Sequence, residues 1–246
     1  MPALPPLGLS WPELVLVLST VTFGTAVQGT VGFGLGLIAA PVLAGIDPMF
    51  VPGPILAVAI LLGFLLTRRE LKHVDRTGFG WVVLGRIPGT VAAIVTMSML
   101  PQSGIIITIG ALVLLAVAIS VSGLDFELTP RTLVGTGAAS GFMSTISSVG
   151  GPPLALAYQH SHGPRLRGTL SAHFIIGAGI SVIALVAAGR YGAREVEASL
   201  VLVPAVLVGY LLSGFTAPIL DRGYTRPVVL GLAALAGGFI IVRELL

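Results

Sequence analysis

The segment GFMSTISSVGGPP, residues 141–153, and its counterpart GTAVQGTVGFGLGLIAAP, residues 24–41, decide the fold of this chain. Both are glycine-rich interruptions inside long apolar runs. Lipid offers no partner to a free N–H or C=O group, so non-helical backbone in a membrane occurs only where protein or a water-filled cavity surrounds it. Interrupted helices of this kind form the binding sites of many transporters. The two segments are therefore the first candidates for a site.

The composition is that of a membrane protein. Of the 246 residues, 55% are hydrophobic and 9% are charged, and the mean hydropathy is +1.03, whereas a soluble domain carries about 25% charged residues. The net charge of +3 comes from basic residues in short loops, which fits the positive-inside rule and predicts no binding of nucleic acid. The absence of cysteine excludes disulfides and thiolate metal sites. The first apolar run lacks the basic flank of a signal peptide, so we expect it to stay in the mature protein.

Two of the apolar runs are too long to be single membrane crossings. At about 1.5 Å per residue, residues 11–46 would reach about 54 Å and residues 131–160 about 45 Å, against a hydrocarbon core of about 30 Å. Each is therefore predicted to enter the membrane, break at its glycines and return as a shorter helix. The other runs have ordinary spanning length, and in order the eight runs are residues 11–46, 50–67, 79–98, 103–122, 131–160, 168–188, 197–217 and 226–242.

The second half of the chain repeats the first. A shift of 116 residues brings the long broken runs into register and pairs Gly34 with Gly150, Pro48 with Pro164, Gly63 with Gly179 and Pro88 with Pro204. The sequence therefore predicts an all-α polytopic membrane protein with a single membrane domain, residues 1–246. Its two homologous repeats are residues 11–123 and 129–246, each a glycine-broken helical hairpin followed by three spanning helices.

The loop charges favour an inverted arrangement of the two repeats. With a hairpin in each, every repeat crosses the membrane an odd number of times, and nine basic loop residues fall inside and three outside. If each long run were one crossing, the repeats would be parallel and the division would be eight to four. The positive-inside rule and the run lengths agree on inversion, with both termini outside.

The second interruption ends in a sequence that starts a helix. Gly150 and Gly151 lead into Pro152 and Pro153, and proline is favoured at the first helical position, where its missing N–H costs nothing. A short apolar helix is predicted from Leu154 to Tyr158. The free N–H groups and the positive dipole end of such a helix attract anions.

Polar and ionisable residues near the interruptions complete the predicted site. Small residues and serines in membrane helices also serve close packing, so this alternative stays open for each one alone. His173 could bond an anion or simply pack against a backbone carbonyl. The substrate-binding candidates are Gln28, Thr30, Gly34, Gly36, Arg86, Ser144, Thr145, Ser148, Gly150, Gly151 and His173.

Arg86, like His173, is predicted to lie at depth in the membrane. It follows Thr77 by nine residues, about 13 Å of helix. An ionisable group inside the bilayer is a functional candidate. The alternative is that its long side chain reaches back to the headgroups.

No carboxylate is predicted at mid-membrane depth, since all ten acidic residues lie at or near helix ends. An exported anion needs no coupling carboxylate, because an inside-negative potential favours its exit by about 2.3 kcal/mol per charge per 100 mV. His160 and His162 have no carboxylate at ligand spacing. We therefore predict no metal, no cofactor and no catalytic residues.

The two interruptions resemble those of the sulfite exporter TauE/SafE family of membrane permeases. The resemblance rests on Gly32-Phe33-Gly34-Leu35-Gly36 with Pro41, on Gly141-Phe142-Met143-Ser144 followed by Gly150-Gly151, and on the duplicated layout of the whole chain. Ser148 stands where glycine is usual, and Ala157 where a second proline would be. The resemblance implies a bacterial inner-membrane, multi-pass permease that exports sulfite or organosulfonates.

Two other functions remain open from the sequence: uptake of another small organic anion, and a non-transporting membrane assembly subunit. An enzyme is not expected, because the membrane segments carry no Ser-His-Asp set and no carboxylate pair. The predicted partners are a small anionic substrate and the lipid bilayer, with a homodimer as a further option.

Overall fold

The computed structural model describes residues 6–125, 127–161, 163–220 and 225–245. Within these ranges the regular structure is helical, and six helices are long and apolar enough to cross a membrane. This confirms the all-α polytopic membrane fold. The ten α-helices are α1 (Trp11–Val31), α2 (Leu35–Ile46), α3 (Gly53–Arg69), α4 (Phe79–Met99), α5 (Gln102–Val121), α6 (Pro130–Ser147), α7 (Gly151–Ala157), α8 (Gly163–Ala187), α9 (Ala193–Leu220) and α10 (Thr225–Leu245).

The helices that open the two halves begin with the same capping device. Ser10 Oγ accepts from the N–H of Glu13, and the Glu13 carboxylate accepts from the N–H of Ser10. At the start of α6, the hydroxyls and N–H groups of Thr129 and Thr132 pair in the same reciprocal way. These caps satisfy N–H groups that a helix start leaves without intrahelical partners.

Both long apolar runs break at their glycines. The helix α1 ends at Gly32, whose φ of 98° is left-handed, and α6 ends at Ser148, whose φ of 60° is also left-handed. Each of these residues donates its N–H back to a carbonyl of the last turn, which is a common way to end a helix. The short helix after the second break covers Gly151–Ala157, three residues earlier than predicted, because Pro152 and Pro153 occupy its first turn.

Glycines allow the closest helix contacts. A Cβ on Gly85 of α4 would lie 2.0 Å from the carbonyl oxygen of Val134 on α6, and one on Gly89 would lie 2.1 Å from that of Ala138. Because residue numbers rise together along both helices, α4 and α6 run parallel. The helices α1 and α9 also run parallel, since Thr22 contacts Ala205 and Gly29, further along α1, contacts Ser213, further along α9.

The third helices of the two halves, α3 and α8, run antiparallel. Gly53 at the start of α3 packs against Tyr191 just beyond α8, and Gly63 packs against Ile175 in the middle of α8. The last helices, α5 and α10, are also antiparallel, with Gly110 against Ile241 and Val113 against Gly237. The most extensive helix pairs between the halves fit this pattern: α4 with α6 has a counterpart in α1 with α9, and α3 with α8 and α5 with α10 pair equivalent helices.

The helix α4 separates a lipid-facing side from a bundle-facing side. Its exposed apolar side chains lie on one face, whereas Arg86 lies on the opposite, buried face at the spacing of one helical turn from Val82 and Thr90. The bundle thus directs Arg86 inward. The exposed apolar residues of this helix include Leu84, Ile87, Val91 and Val95.

The two ends of the bundle differ in charge. At the basic end, where α3 stops and α4 and α8 start, several basic side chains gather. The opposite end carries Asp47, Arg190 and Arg194. The residues that define the basic end are Arg68, Arg69, Lys72, Arg76, Arg165 and Arg167.

Candidate functional site

The two breaks meet and enclose a small cavity. A Cβ on Gly36 would lie 2.0 Å from the carbonyl oxygen of Ser148, and one on Gly151 would lie 2.6 Å from Phe33 Cβ. Only glycine permits these approaches of backbone to its neighbours. The cavity measures about 30 Å³ and is lined by Gln28, Phe33, Gly34, Gly36, Leu37, Ile55, Leu56, Ala59, Arg86, Ser144, Ser148, Val149, Gly150, Gly151, Pro152, Phe174 and Ala178.

Arg86 contributes a buried cation to this cavity. It is 2% exposed. Its Nη1 donates to Ser140 Oγ at 2.9 Å and its Nη2 to Ser144 Oγ at 2.6 Å. Its Nε has no hydrogen-bond partner in the described part of the chain, and no ion pair found there includes Arg86. The guanidinium therefore lies inside the bundle, does not reach back to the headgroups, and keeps one donor free.

A glycine on α8 makes room for the guanidinium. A Cβ at Gly177 would lie 2.1 Å from Arg86 Cζ, which is far shorter than a van der Waals contact. Gly177 itself is buried. Arg86 on α4 is therefore held between the hydroxyls of α6 and the bare backbone of α8, so three helices fix its position.

The start of α2 supplies N–H groups to the same cavity. Gln28 is 4% exposed and its Oε1 accepts from the N–H of Leu35 at 3.1 Å, so it caps α2. The N–H groups of Gly36 and Leu37 follow in the first turn, where a helix has no acceptor of its own. Both residues line the cavity. The start of α7 offers fewer donors, because Pro152 and Pro153 carry no N–H.

The serines near the second break make different contacts. Ser140 Oγ donates to the carbonyl of Gly150 at 2.7 Å while it accepts from Arg86. Ser148 Oγ donates to the carbonyl of Pro52 at 3.0 Å. Ser144 Oγ donates only a long hydrogen bond, of 3.4 Å, to the carbonyl of Gly141. The hydroxyl proton of Ser144 is therefore the freest of the three to turn toward a ligand.

Eight of the eleven predicted binding residues line the cavity, and three do not. Thr30 Oγ1 donates to the carbonyl of Val27 in its own helix. Thr145 Oγ1 bonds Ser181 Oγ at 2.8 Å, on α8. His173 Nε2 bonds Tyr158 Oη at 3.0 Å, and its ring stacks on Phe79 with centroids 4.0 Å apart. Thr145 and His173 therefore connect elements around the site, whereas the Thr30 hydroxyl bonds within its own helix.

Several residues that line the cavity or hold Arg86 in place were not predicted. Phe33 and Phe174 supply apolar walls, Ser140 orients Arg86, and Gly177 gives it space. Ser140 lies one turn before Ser144 on the same helix face, and that spacing was a usable signal. No such sequence signal pointed to Gly177, because its partner Arg86 is distant in sequence.

The described residues contain no group of three or more His, Asp or Glu side chains arranged to hold a metal ion. His160 Nε2 instead pairs with Asp125 at 2.9 Å near the surface. His162 lies outside the described residues.

Comparison with known proteins identifies the family. The family described as sulfite exporter TauE/SafE matches residues 16–240. The chain belongs to the TauE/SafE family. A relative from Cupriavidus necator, described as a probable sulfite/organosulfonate exporter TauE, is 24% identical over 223 residues, which cover 85% of this chain and 86% of the relative. No solved structure matches the chain.

Membership in the TauE/SafE family makes the protein a multi-pass membrane transporter, in agreement with its apolar helices. The matched region includes both breaks and all the residues that line the cavity. In chemical terms, the cavity combines one buried cation, a hydroxyl and the free N–H groups of a helix start. That donor set suits an oxyanion.

Proposed function

We propose that this protein exports a small sulfur-containing oxyanion, sulfite or an organosulfonate, across the bacterial inner membrane. The anion binds between the two breaks. The observation that carries the proposal is Arg86, a buried guanidinium that lines the cavity with a free Nε and without a carboxylate partner among the described residues. The name of the Cupriavidus necator relative supports the choice of substrate.

The charge of Arg86 is costly to bury without a counter-ion. A guanidinium without a counter-ion loses several kcal/mol of hydration in a low-dielectric interior. Hydrogen bonds to Ser140 and Ser144 offset only part of this loss, because hydroxyls carry no net charge. A bound oxyanion supplies the missing charge and accepts from the planar edge of the guanidinium. The site is therefore incomplete without an anion.

The remaining ligands follow from the first turn of α2. Gly36 and Leu37, in the first turn of α2, and Ser144 all line the cavity, so the N–H groups of a helix start, its partial positive charge and a hydroxyl are near an anion bound there. The volume of about 30 Å³ favours a very small headgroup. The walls formed by Phe33, Ile55 and Phe174 suit the short apolar part of a sulfonate.

We further propose that residues 11–123 and 129–246 are inverted repeats, related by a two-fold axis in the membrane plane. The antiparallel pairing of α3 with α8 and of α5 with α10 supports this, because a two-fold axis along the membrane normal would make equivalent helices parallel. The left-handed residues Gly32 and Ser148, which fall in register after a shift of 116, also support it. Such repeats permit alternating access to a central site.

Export is the direction that the charges favour. Among the described residues no carboxylate lines the cavity, so no proton-carrying or sodium-binding group is available there. The potential then acts on the charge of the transported anion itself, and an inside-negative potential favours its exit by about 2.3 kcal/mol per charge per 100 mV.

The decisive experiment uses purified protein in liposomes loaded with radiolabelled sulfite or methanesulfonate, a sulfonate with one net negative charge. We expect efflux that increases when a potassium–valinomycin gradient makes the interior negative. Efflux of neither anion, with a panel of other organic anions also inert, would contradict transport and favour an assembly subunit. Transport of carboxylates in preference to both sulfur oxyanions would instead favour another small organic anion as the substrate.

A further inference from the structure

A buried ion cluster at the basic end lies outside the cavity. Glu70, which follows α3, is 8% exposed, and Arg167, in the second turn of α8, is 7% exposed. Arg69 and Arg167 both approach the same oxygen of this carboxylate, Oε1. Charges at such burial need partners, so the cluster is a built feature of the fold. The proposed transport site makes no use of it.

Both arginines also hold the end of α1. Arg69 Nη2 donates to the carbonyl of Gly29 at 2.6 Å, and Arg167 Nη1 donates to that of Thr30 at 3.3 Å. A Cβ on Gly32, where the first break begins, would lie 3.4 Å from Arg167 Cα. The cluster therefore packs directly against the break, two residues before the cavity-lining Gly34.

The contacts to Glu70 are long. Arg69 Nε lies 3.3 Å from Oε1, and Arg167 Nε and Nη2 lie 3.4 and 3.3 Å from it. Charge-assisted hydrogen bonds between a guanidinium and a carboxylate usually measure about 2.7–2.9 Å, often as two parallel bonds to two oxygens. The other oxygen, Oε2, lies 3.9 Å from His73 Nδ1. Both guanidinium groups approach a single oxygen of this carboxylate, and an oxyanion offers the same kind of acceptor.

A basic depression opens beside the cluster at the surface. It measures about 510 Å³ and is lined by Lys72, His73, Val74, Asp75, Arg76 and Arg165. Its one carboxylate is already engaged, because Arg165 donates to Asp75 at 2.6 Å and lowers the pKa of Asp75 to about 2. Surface cations of one sign raise the local concentration of anions. Basic side chains therefore line a path from the surface depression, through the ion cluster and past the first break, to Arg86.

We propose that Arg69 and Arg167 form a second oxyanion site between the basic depression and the cavity. The Glu70 carboxylate fills this site as a tethered anion until a substrate oxyanion displaces it. The inference rests on the proposed function for the identity of that oxyanion. Exchange at this site brings the substrate against Gly32 and the first break, next to the cavity of Arg86.

The test measures sulfite binding to purified full-length protein through the shift of its thermal unfolding midpoint with sulfite concentration. The Arg86→Gln variant removes the cation of the cavity, and a second variant adds Glu70→Gln. We expect the double variant to bind sulfite about tenfold more tightly than Arg86→Gln alone, because the guanidinium pair no longer has the Glu70 charge to compete with sulfite. Equal affinity of the two variants would overturn the second site.

Asp75→Asn in the Arg86→Gln background is the matched control. It also removes a carboxylate that accepts from an arginine at the basic end, but that arginine is Arg165, outside the pair formed by Arg69 and Arg167. We expect no gain in sulfite affinity. An equal gain from Asp75→Asn would assign the effect to overall surface charge and reject the site. If Glu70→Gln does not accumulate as folded protein, Glu70→Asp replaces it, because aspartate keeps the charge on a shorter side chain. We again expect a gain in sulfite affinity. The absence of that gain rejects the site.

A panel of chloride, sulfate and phosphate separates this inference from the proposed function. If the parent protein neither binds nor transports sulfite, yet Glu70→Gln gains affinity for another oxyanion, the proposed substrate is wrong and the second site stands. If the parent transports sulfite and Glu70→Gln gains affinity for no anion, the second site alone is wrong.

Discussion

Arg86 Nη2 donates to Ser144 Oγ over 2.6 Å, and this bond joins α4 of the first half to α6 of the second. The two helices are packed closely enough for Gly141 to lie against the Arg86 backbone, where an added Cβ would come within 2.6 Å of the Arg86 carbonyl oxygen. The position of the guanidinium therefore depends on the interface between the halves. Any movement of one half against the other changes the position of the cation in the cavity.

Replacing Arg86 by lysine separates charge from geometry. Lysine keeps the positive charge but loses the planar guanidinium. Its Nη1 and Nη2 donate to Ser140 and Ser144, and its Nε is the donor left for an anion. We expect Arg86→Lys to insert and fold, and to transport at least about tenfold more slowly, which corresponds to about 1.4 kcal/mol. Arg86→Ala should be slower still. Parent-rate efflux from liposomes containing Arg86→Lys would remove Arg86 from the site.

Gly177 offers a way to move the guanidinium without changing any charge. A methyl group there would lie 2.1 Å from Arg86 Cζ, whereas at Gly179, on the same helix, an added Cβ meets nothing within 4 Å. We expect Gly177→Ala to reduce transport about as strongly as Arg86→Lys. Gly179→Ala should transport at the parent rate, with equal or slightly higher thermal stability because alanine favours a helix by up to about 1 kcal/mol over glycine. Identical transport by both variants would contradict the tight fit at Gly177.

The fold was largely predictable because its signals are local. Run length predicted that the two long runs break, and glycine and proline marked where they break, since backbone rules apply wherever those residues occur. The depth of Arg86 left two alternatives open, an inward position and a side chain that reaches back to the headgroups, and the structure has the first. The roles of Gln28 and Gly177 could not be predicted from local sequence. Gln28 caps α2 at Leu35, seven residues away across the break, and Gly177 contacts Arg86, a residue of the other half.

The polar residues that do not reach the cavity show the limit of reasoning from residue type. Thr145 and His173 lie close to it in sequence and in depth, yet their polar atoms bond Ser181 and Tyr158 on neighbouring elements. Residue type predicts that such a group needs a partner. It does not predict whether that partner is a substrate or another side chain.

Ser144 and Ser148 should separate in their effect on affinity. The Ser144 hydroxyl has no strong acceptor, whereas Ser148 Oγ already donates to the carbonyl of Pro52 at 3.0 Å. We expect Ser144→Ala to weaken sulfite binding by about 1–3 kcal/mol, the cost of one charge-assisted bond. Ser148→Ala should change affinity little, and Ser148→Gly should fold well because the position is left-handed. Sulfite titration by thermal shift compares the three, and equal losses for Ser144→Ala and Ser148→Ala would show that our distinction is wrong.

Gly36 tests whether the contact between the two breaks is required. An added methyl group would lie 2.0 Å from the carbonyl oxygen of Ser148, so the breaks would have to separate. At Gly45, also on α2, the nearest neighbour of an added Cβ would be Ile240 at an ordinary 3.6 Å. We expect Gly36→Ala to lower both thermal stability and sulfite affinity and Gly45→Ala to change neither by more than about 0.5 kcal/mol. A stable Gly36→Ala that binds sulfite normally would mean that the contact is dispensable.

The inverted arrangement of the halves predicts which side of the membrane each end of the bundle faces. Lys72 follows α3 at the basic end, whereas Arg194 lies 3.6 Å from Asp47 at the opposite end. The helix α3, 17 residues long, separates these ends by about 25 Å. The chain has no cysteine, so Lys72→Cys and Arg194→Cys each provide a single labelling site. In intact cells, a thiol reagent that cannot cross the membrane should label Arg194→Cys and should label Lys72→Cys only after permeabilisation. Labelling of both from the same side would refute inversion and restore parallel repeats.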